Sequence, residues 1–332
     1  MQTVSVNVMS LCVPCENRCR YCLLSYNGKE NGADYNKSKE YALNFSKWIK
    51  ENRPELSFLF GFGYSMEHPK LMEEIKFLQS IGSASGEFLQ LDGMKIRGEE
   101  ELKNLLKQLK ENGIKLIDLT FYGERDYHDK FAGRKGDFDY MINILKASNE
   151  IELDVEIGVA VTDENAEQID RLIEKFTQFK TKRLFLFVPH CEGRGESLNN
   201  IRFSEKGFSL LNEKSRKALN REIFKTESEW LASEYKEKEK RMICITLTKE
   251  NFSFFNEMSF DKAISYVEKL DDNYYNAIPS FSDLASIYGE KQGCKFYSQR
   301  DLFLKYQKLY IKDNRLNVYD VNDERQCFTR RF

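Results

Sequence analysis

Short apolar segments alternate along the chain with longer segments in which apolar residues recur every three or four positions. The short segments predict strands and the longer ones predict helices, because a period of two is typical of a strand and a period of 3.6 of a helix. The predicted strands are Thr3–Cys12, Leu56–Gly63, Gly86–Leu91, Leu116–Gly123, Leu153–Val161 and Lys182–Pro189. The predicted helices are Lys37–Asn52, Pro69–Ser80, Glu99–Asn112, Asp137–Ser148, Asn165–Gln178 and Ser204–Ile223.

The third predicted helix has the clearest apolar stripe. Its leucines at positions 102, 105, 106 and 109 lie on one face of a helix, and Gly113 follows as a C-terminal stop. The sixth predicted strand, RLFLFVP, is instead apolar on both faces, as is typical of a strand buried within a parallel sheet.

Strand and helix units in series imply a parallel sheet with right-handed crossovers. Six such units are too few for a closed eight-stranded barrel. We therefore predict an α/β fold, a partial (β/α)6 TIM-like barrel. Functional residues are expected at the C-terminal ends of its strands, where the loops that lead into the helices gather.

The pattern changes after residue 225. The stretch SEWLASEYKEKEKR predicts a charged helix or linker, RMICITLT predicts a strand, and KLYIKDNRLNVYDV predicts a hairpin that turns at Asp313 and Asn314. We therefore expect a core domain over 1–225 and a small α+β appendage over 226–332 that closes the open side of the barrel and shapes the substrate site.

Composition narrows the class of protein. The chain has 332 residues, with 51 Lys and Arg against 53 Asp and Glu, a net charge of −2. The signs are interspersed, so no nucleic-acid or membrane-surface footprint is visible. No apolar run is long enough to span a membrane, and the start lacks the pattern of a signal peptide. We predict a cytoplasmic protein whose eight cysteines are reduced.

Four cysteines, Cys12, Cys15, Cys19 and Cys22, are crowded into the loop after the first predicted strand. Thiolates suit zinc and iron–sulfur clusters, so the crowding indicates metal. A zinc site of two C-x2-C units usually separates them by a dozen or so residues, whereas here only three residues lie between. The ferredoxin spacing C-x2-C-x2-C-x3-C-P also fails, because the longer gap is in the middle.

Three of the four cysteines fit a different pattern. Cys15, Cys19 and Cys22 form C-x3-C-x2-C, with the aromatic Tyr21 just before the last cysteine. This motif resembles the signature of radical S-adenosylmethionine (radical SAM) enzymes. The alternative is a structural zinc or iron site. Cys12, which precedes the motif, is expected to be a buried thiol at the end of the strand.

The resemblance implies a [4Fe–4S] cluster held by three thiolates, with one iron left open for SAM. It also implies that an electron from an external flavodoxin-like or ferredoxin-like donor cleaves SAM to a 5′-deoxyadenosyl radical, which abstracts hydrogen from substrate. The protein would contribute binding and orientation, and the cofactor the difficult chemistry.

The loop after the second predicted strand, GFGYSMEHPKL, resembles the family's glycine-rich loop, which meets the amino group of SAM. Gly61, Gly63 and Glu67 would serve this role, although the spacing is longer than in the family pattern. The alternative is an ordinary loop in which Pro69 opens the next helix.

Further SAM contacts are implied after the fourth and fifth predicted strands. Thr120 and Tyr122 are candidates for the ribose, and Thr162 and Asn165 would lie near it from the next strand. Thr162 or its neighbour Asp163 could instead cap the following helix. His128 is expected to cap or pack locally.

The loop after the sixth predicted strand, VPHCEGRGESL, carries two candidate catalytic residues. Arg194 could pair with the SAM carboxylate or with substrate, because a guanidinium group matches a carboxylate. Cys191 could donate a hydrogen atom to a substrate radical, since a thiol S–H bond is weak. The alternatives are a solvated turn residue for Arg194 and a packed thiol for Cys191.

The substrate class does not follow from the sequence. A peptide or protein is the first expectation, because the layout resembles peptide-modifying members of the family. A small metabolite comes second, and an RNA third because no RNA-binding module is visible. The non-enzymatic alternative is an iron–sulfur redox sensor or iron sensor.

Overall fold

The computed structural model describes residues 3–10, 15–22, 33–63, 66–82, 86–191, 193–233 and 241–318. Cys12 and Glu192 lie outside these residues, as do residues 319–321 of the hairpin predicted near the C-terminus. The prediction that Cys12 is a buried thiol at a strand end therefore stays a prediction.

Strands and helices alternate through the first two thirds of the chain, as the sequence predicted. The strands are β1 Thr3–Ser10, β2 Ser57–Phe62, β3 Phe88–Gln90, β4 Leu116–Phe121, β5 Asp154–Ala160 and β6 Arg183–Phe187. The helices between them are α1 Tyr35–Asn52, α2 Leu71–Ser80, α3 Glu99–Glu111, α4 Arg125–Ala132, α5 Asp137–Glu150 and α6 Ala166–Phe176. Of these helices, α4 alone was not predicted, because it fills a short polar loop between two stronger patterns.

After β6 the elements become shorter. A 3₁₀ helix spans Gly193–Leu198, and the remaining elements are α7 Glu205–Leu210, α8 Glu213–Ala218, β7 Phe224–Thr226, α9 Glu227–Leu231, β8 Arg241–Leu247, α10 Phe252–Asn256, α11 Phe260–Ala277, α12 Phe281–Tyr288, β9 Phe296–Ser298 and α13 Gln299–Asp313.

Two parallel sheets form the scaffold, ordered β2-β1-β8 and β3-β4-β5-β6. Every strand pair in them is parallel, so the C-terminal ends of neighbouring strands meet at one edge of each sheet. We call this edge the strand rim. The α/β class and the parallel arrangement are thus confirmed, and the rim is where the sequence placed the functional residues.

Each sheet buries one face against helices. Along β4, Ile117, Leu119 and Phe121 are fully buried in the core that also contains the leucine stripe of α3. The alternate residues Asp118 and Thr120 point to the opposite face, toward the barrel interior, because successive strand side chains alternate. Helix α2 contributes to the hydrophobic cores of both sheets, so it holds the two sheets together.

The C-terminal third is joined to the barrel by hydrogen-bonded strands. β8 pairs in parallel with β1, and β9 pairs antiparallel with β7. The strand predicted from RMICITLT is β8. The domain boundary predicted at residue 225 falls inside β7, so the division into core and appendage stays a proposal.

Two local predictions are wrong. The predicted helix Ser204–Ile223 is interrupted, because Asn212 accepts the backbone N–H of Ser215 at 2.9 Å and starts α8 as a new helix. The predicted hairpin at Asp313 is the end of α13, whose buried residues follow a helical spacing. The stretch KLYIKD alternates over too few residues to distinguish a strand from a helix that is partly buried.

Candidate cluster and cofactor site

The loop that carries the cysteine motif, residues 15–22, lies at the strand rim and rests on two other loops. We call it the cysteine loop. Glu16 N–H donates to Gly93 O at 2.8 Å, just past β3. Arg18 and Arg20 donate their backbone N–H groups to the last two residues of α4 at 2.8 and 2.9 Å. Backbone hydrogen bonds therefore fix the loop between the ends of β3 and α4.

The thiols of the cysteine loop lie half-buried and close to one another. Asn17 N–H donates to Cys15 Sγ at 3.4 Å, and the hydroxyl of Tyr122 lies 3.3 Å from Cys19 Sγ. Burial raises the pKa of the Cys15 thiol to about 12, and the neighbouring Asp92 and Cys22 add to the rise. Burial also raises the pKa of Cys19. The thiols of Cys15 and Cys19 are therefore neutral at physiological pH unless a cationic centre stabilises their thiolates.

The arrangement of donors fits an iron–sulfur cluster better than a single ion. Within the described ranges, no three His, Cys, Asp or Glu side chains converge closely enough to hold one metal ion. In a four-iron cluster each thiolate binds a different iron atom, so its ligands stand further apart than those of one zinc ion. Cys15, Cys19 and Cys22, whose charges influence one another, therefore suit the cluster.

Gly93 leaves the space that Cys15 occupies. Its φ of +76° is in the left-handed region that favours glycine, and a Cβ atom at this position would overlap the Sγ of Cys15. The thiol also lies 3.7 Å from the Gly93 carbonyl oxygen. The first cysteine of the motif therefore packs against backbone at a position where only glycine leaves room for its thiol.

A buried hydrogen-bond network lies behind the cysteine loop. Asp137 Oδ2 accepts from Asn17 Nδ2 and contacts His128 Nε2, both at 3.1 Å. His128 Nδ1 accepts the backbone N–H of Tyr122 at 3.2 Å, so the Nε2 proton points to Asp137. Arg134 pairs with Asp137 and donates to Met94 O. The local capping or packing role predicted for His128 is thus met by full burial within this network.

Gly61 and Gly63 lie at the end of β2 on the strand rim, where β2 pairs with β1. Gly61 is in register with Met9, and Gly63 N–H donates to Ser10 O at 2.6 Å. Glu67 lies further along the same loop. Both its carboxylate oxygens are used by Arg97, at 3.1 and 2.7 Å, and one of them also accepts the Lys95 N–H. The contact between Glu67 and SAM stays a prediction.

Thr120 is buried at the end of β4 and is bound by Asp92, which directly follows β3. Asp92 Oδ1 accepts the Thr120 N–H at 2.8 Å, and the other oxygen accepts from Gln90 Nε2 at 2.7 Å. Burial raises the pKa of Asp92 to about 6, against the effect of these hydrogen bonds. Asp92 thus holds Thr120 at the rim, near Cys15 and Cys19, whose pKa values it also raises.

Asn165 joins the ends of β4 and β5. Its Nδ2 donates to Tyr122 O at 2.5 Å and to Ala160 O at 2.8 Å, and its Oδ1 accepts the Thr162 N–H at 2.8 Å. The alternative that Thr162 or Asp163 caps the next helix is wrong, because α6 begins at Ala166 directly after Asn165, and Asp163 instead accepts from Ser204. Asn165 therefore orders the backbone beneath the expected ribose position.

The loop after β6 separates its two candidate residues. Arg194 N–H donates to Cys22 O at 3.2 Å, so the Gly-Arg-Gly turn touches the cysteine loop. Cys191 is buried in an aromatic cluster with Trp230 and Tyr297, and its N–H donates to Asp301 Oδ1 at 3.3 Å. The structure thus brings Arg194 to the cluster site, whereas Cys191 lies in the contact between this loop and α13.

A row of polar side chains crosses the interior face of the second sheet. The register aligns Gln90, Asp118, Glu156 and Arg183 on neighbouring strands. Arg183 pairs with Glu156 at 2.7 Å. Burial raises the pKa of Asp118 to about 7, and the carboxylates of Asp92 and Glu156 contribute to the rise. The barrel interior below the cluster site is therefore polar and, on balance, acidic.

Asp118→Asn is expected to stabilise the iron-free protein, and by more at pH 8 than at pH 5. Because the folded pKa lies near 7 and the ordinary value is about 3.9, the folded state binds more protons than the unfolded state between these values. Stability is therefore lost as pH rises through this window, and the neutral amide avoids the loss. We expect a rise in Tm of a few degrees at pH 8 in thermal unfolding.

The exposed Asp126 is the matched control for this prediction. Asp126→Asn removes a carboxylate that is solvated on α4, so its Tm difference from the parent should be small at both values of pH. A Tm difference for Asp118→Asn that does not change between pH 5 and pH 8 would contradict the raised pKa.

Sequence reasoning missed four residues that organise the site, Asn17, Asp92, Gly93 and Asp137. Asp92 and Gly93 carried a usable signal, because a polar residue followed by glycine directly after a predicted strand belongs to the rim. Asn17 and Asp137 carried no such signal, since they are 120 positions apart in the chain.

Comparison with curated proteins finds a relative that matches part of the chain. This relative, an Fe-coproporphyrin III synthase of Methanosarcina barkeri (strain Fusaro / DSM 804), is 26% identical over 119 residues. The match covers 35% of this chain and 30% of that protein, so the chain spans under a third of the relative's length.

In the described residues, no helix is long and apolar enough to cross a membrane.

Solved structures that resemble the chain include the following two. One is coproporphyrinogen III oxidase (HemN) from Escherichia coli, titled a radical SAM enzyme, with a TM-score of 0.46, 10% identity and coverage of 93% of this chain and 91% of that one. The other is SuiB from Streptococcus suis bound to the precursor peptide SuiA, with a TM-score of 0.49, 12% identity and coverage of 78% and 62%.

The assignment itself comes from a family model that matches residues 9–176, half of the chain. The matched residues include the cysteine loop and the strands that place its thiols beside Gly93 and Tyr122. The chain belongs to the radical SAM superfamily.

Proposed function

We propose that the chain is an enzyme that binds a [4Fe–4S] cluster through Cys15, Cys19 and Cys22 and uses it to cleave SAM. The observation that carries the proposal is the set of three half-buried thiols, which lie close enough at the strand rim for their charges to influence one another. When bound, the cluster supplies the electron that converts SAM to a 5′-deoxyadenosyl radical, which takes a hydrogen atom from substrate.

The chain's own residues would bind and orient SAM around the cysteine loop. The backbone of Gly61 and Gly63 lies next to the end of β1 and is open to close approach by the methionine end. Thr120, held by Asp92, would face the ribose, and Tyr21 packs edge-on against Tyr122 at 5.6 Å beside the thiols. Arg194, tethered to Cys22, would pair with a carboxylate of SAM or substrate.

The substrate is proposed to be a peptide or protein. The acidic interior row supports a neutral or cationic substrate, because Asp118 and Glu156 would repel an anion from the barrel interior. The relative's printed name points instead to a tetrapyrrole, which carries several carboxylates. That second candidate is favoured by the match in sequence alone and is disfavoured by the charge of the interior.

The electron is proposed to come from an acidic flavodoxin-like or ferredoxin-like protein. Arg18, Arg20 and Arg194 line one concave surface beside the cysteine loop, together with Gly193, Glu196 and Ser197. A basic surface next to the cluster would attract an acidic donor and raise the rate of encounter. The rate of cluster reduction by such a donor should therefore fall as salt is added.

Anaerobic reconstitution followed by a SAM-cleavage assay tests the proposal. We expect roughly four irons per chain and release of 5′-deoxyadenosine when the reduced protein is given SAM. Cleavage should quicken when the true peptide substrate is added, since substrate binding completes the site. Tetrapyrroles serve as the competing substrate class in the same assay.

Two results would contradict the proposal. A protein that binds zinc in place of iron would have a structural site. A protein that holds the cluster, cycles between its redox states and releases no 5′-deoxyadenosine with SAM would be the redox sensor or iron sensor instead.

A further inference from the structure

Tyr122 places a fully buried hydroxyl against one of the cysteines that would bind the cluster. The side chain is 1% exposed, and its oxygen lies 3.3 Å from Cys19 Sγ. The ring stacks on Phe131 at a centroid distance of 4.7 Å, within an aromatic cluster that excludes water. Once Cys19 binds iron as a thiolate it can only accept a hydrogen bond, so the hydroxyl must be the donor.

The backbone of Tyr122 is held on both sides by buried side chains. Its N–H donates to His128 Nδ1 at 3.2 Å, and its carbonyl oxygen accepts from Asn165 Nδ2 at 2.5 Å. Both side chains are at most 1% exposed. Tyr122 directly follows β4, so these contacts replace the sheet hydrogen bonds that end there. The position of the hydroxyl is therefore fixed.

The same contacts connect the two proposed cluster ligands Cys19 and Cys15 through one buried carboxylate, that of Asp137. From Cys19 the connection runs through Tyr122 and His128 to Asp137, and from Asp137 it returns through Asn17, whose N–H donates to Cys15 Sγ. Asn17 is 4% exposed and Asp137 1% exposed. Each ligand thus receives a donor from a group whose orientation is set by a shared buried carboxylate.

We propose that Tyr122 tunes the reduction potential of the cluster by donating a hydrogen bond to the Cys19 thiolate. The proposal rests on the proposed function, since it requires that Cys19 bind the cluster. Hydrogen bonds to the ligand sulfurs are among the factors that set the potential of an iron–sulfur cluster. A donor stabilises the reduced form more, because that form carries more negative charge on its sulfur ligands.

This hydrogen bond would affect how readily an external electron donor reduces the cluster. A cluster with a less negative potential is reduced more readily by an external protein donor, and it has less driving force for transferring the electron to SAM. Tyr122 would set this balance from the protein side. A role in packing alone would require the ring of Tyr122 but not its hydroxyl, so removing only the oxygen separates the two roles.

The test compares Tyr122→Phe with the parent in a redox titration of the reconstituted cluster, followed by electron paramagnetic resonance without SAM. We expect equal iron content and a potential that is more negative in Tyr122→Phe. Tyr127→Phe is the matched control, because its hydroxyl belongs to the same aromatic cluster but contacts Thr162 and Glu164 rather than a ligand. Its potential should equal that of the parent.

A second variant tests the same hydrogen bond if Tyr122→Phe does not retain the cluster. Replacing Tyr122 with 3-fluorotyrosine keeps the ring and makes the hydroxyl a stronger donor, so the potential should move in the opposite direction, to a less negative value. If iron stays bound and neither variant shifts the potential, or if Tyr127→Phe shifts it equally, the inference is wrong while the proposed function stands. If the parent itself binds no cluster, both are wrong.

Discussion

Replacement of Cys15, Cys19 or Cys22 with alanine is expected to abolish both the cluster and the cleavage of SAM. Each thiolate would bind a different iron, so losing one opens a second iron to solvent. Iron should fall from roughly four per chain to a trace in each variant, and 5′-deoxyadenosine release should fall to background. Colorimetric iron analysis and chromatography of the SAM products measure the two effects. The fold should persist, because the two largest hydrophobic cores of the described residues contain none of the three cysteines.

Cys12→Ala is the matched control for these variants. It removes a thiol that lies three positions before Cys15 and outside the C-x3-C-x2-C spacing. Iron and SAM cleavage should therefore both be retained. Loss of the cluster in Cys12→Ala would contradict the assignment of ligands. About eight irons in the parent would indicate a second cluster, for which other cysteines of the chain would have to serve.

The sequence predicted the structure best where the relevant pattern lies within a few neighbouring residues. The spacing of Cys15, Cys19 and Cys22 is contained in eight residues, and the periodicity of each strand and helix in about a dozen. Parallel pairing then places strand ends at one rim, which is why Gly63 and Thr120 could be assigned to the same region.

Contacts between distant residues could not be predicted in this way. Glu67 fits the family's loop by position, yet its carboxylate is bound by Arg97, 30 positions later. His128 could be expected to pack locally, but the network that fixes it includes Asn17, which precedes it by more than a hundred residues. A pattern along the chain does not specify which buried polar groups satisfy one another.

The same limit applies to Asn165, which the family resemblance implies lies near the ribose of SAM. Its position after β5 is right for the rim, but its amide satisfies backbone groups at the ends of both β4 and β5. A residue can therefore be necessary to the site by shaping the strand ends without touching the cofactor.

Gly93→Ala is expected to lose the cluster although no ligand is changed. A Cβ atom at position 93 would overlap Cys15 Sγ, so the thiol would have to leave this position. The φ of +76° adds a strain of about 1–2 kcal/mol for alanine. We expect the iron content after reconstitution to fall several-fold, with Cys15 displaced from its place among the three thiols.

Gly82→Ala is the matched control, because it introduces the backbone strain of a positive φ without an overlap of the new Cβ atom with another residue. Gly82 has almost the same backbone conformation, with φ of +75°, but a Cβ atom there would meet nothing within 4 Å. It should therefore lose about 1–2 kcal/mol in the free energy of unfolding and retain its iron. Equal iron in the two variants would mean that Gly93 is required for its backbone conformation alone. Selective loss of iron in Gly93→Ala would show that the space left by a missing side chain at the end of β3 is part of the cluster site.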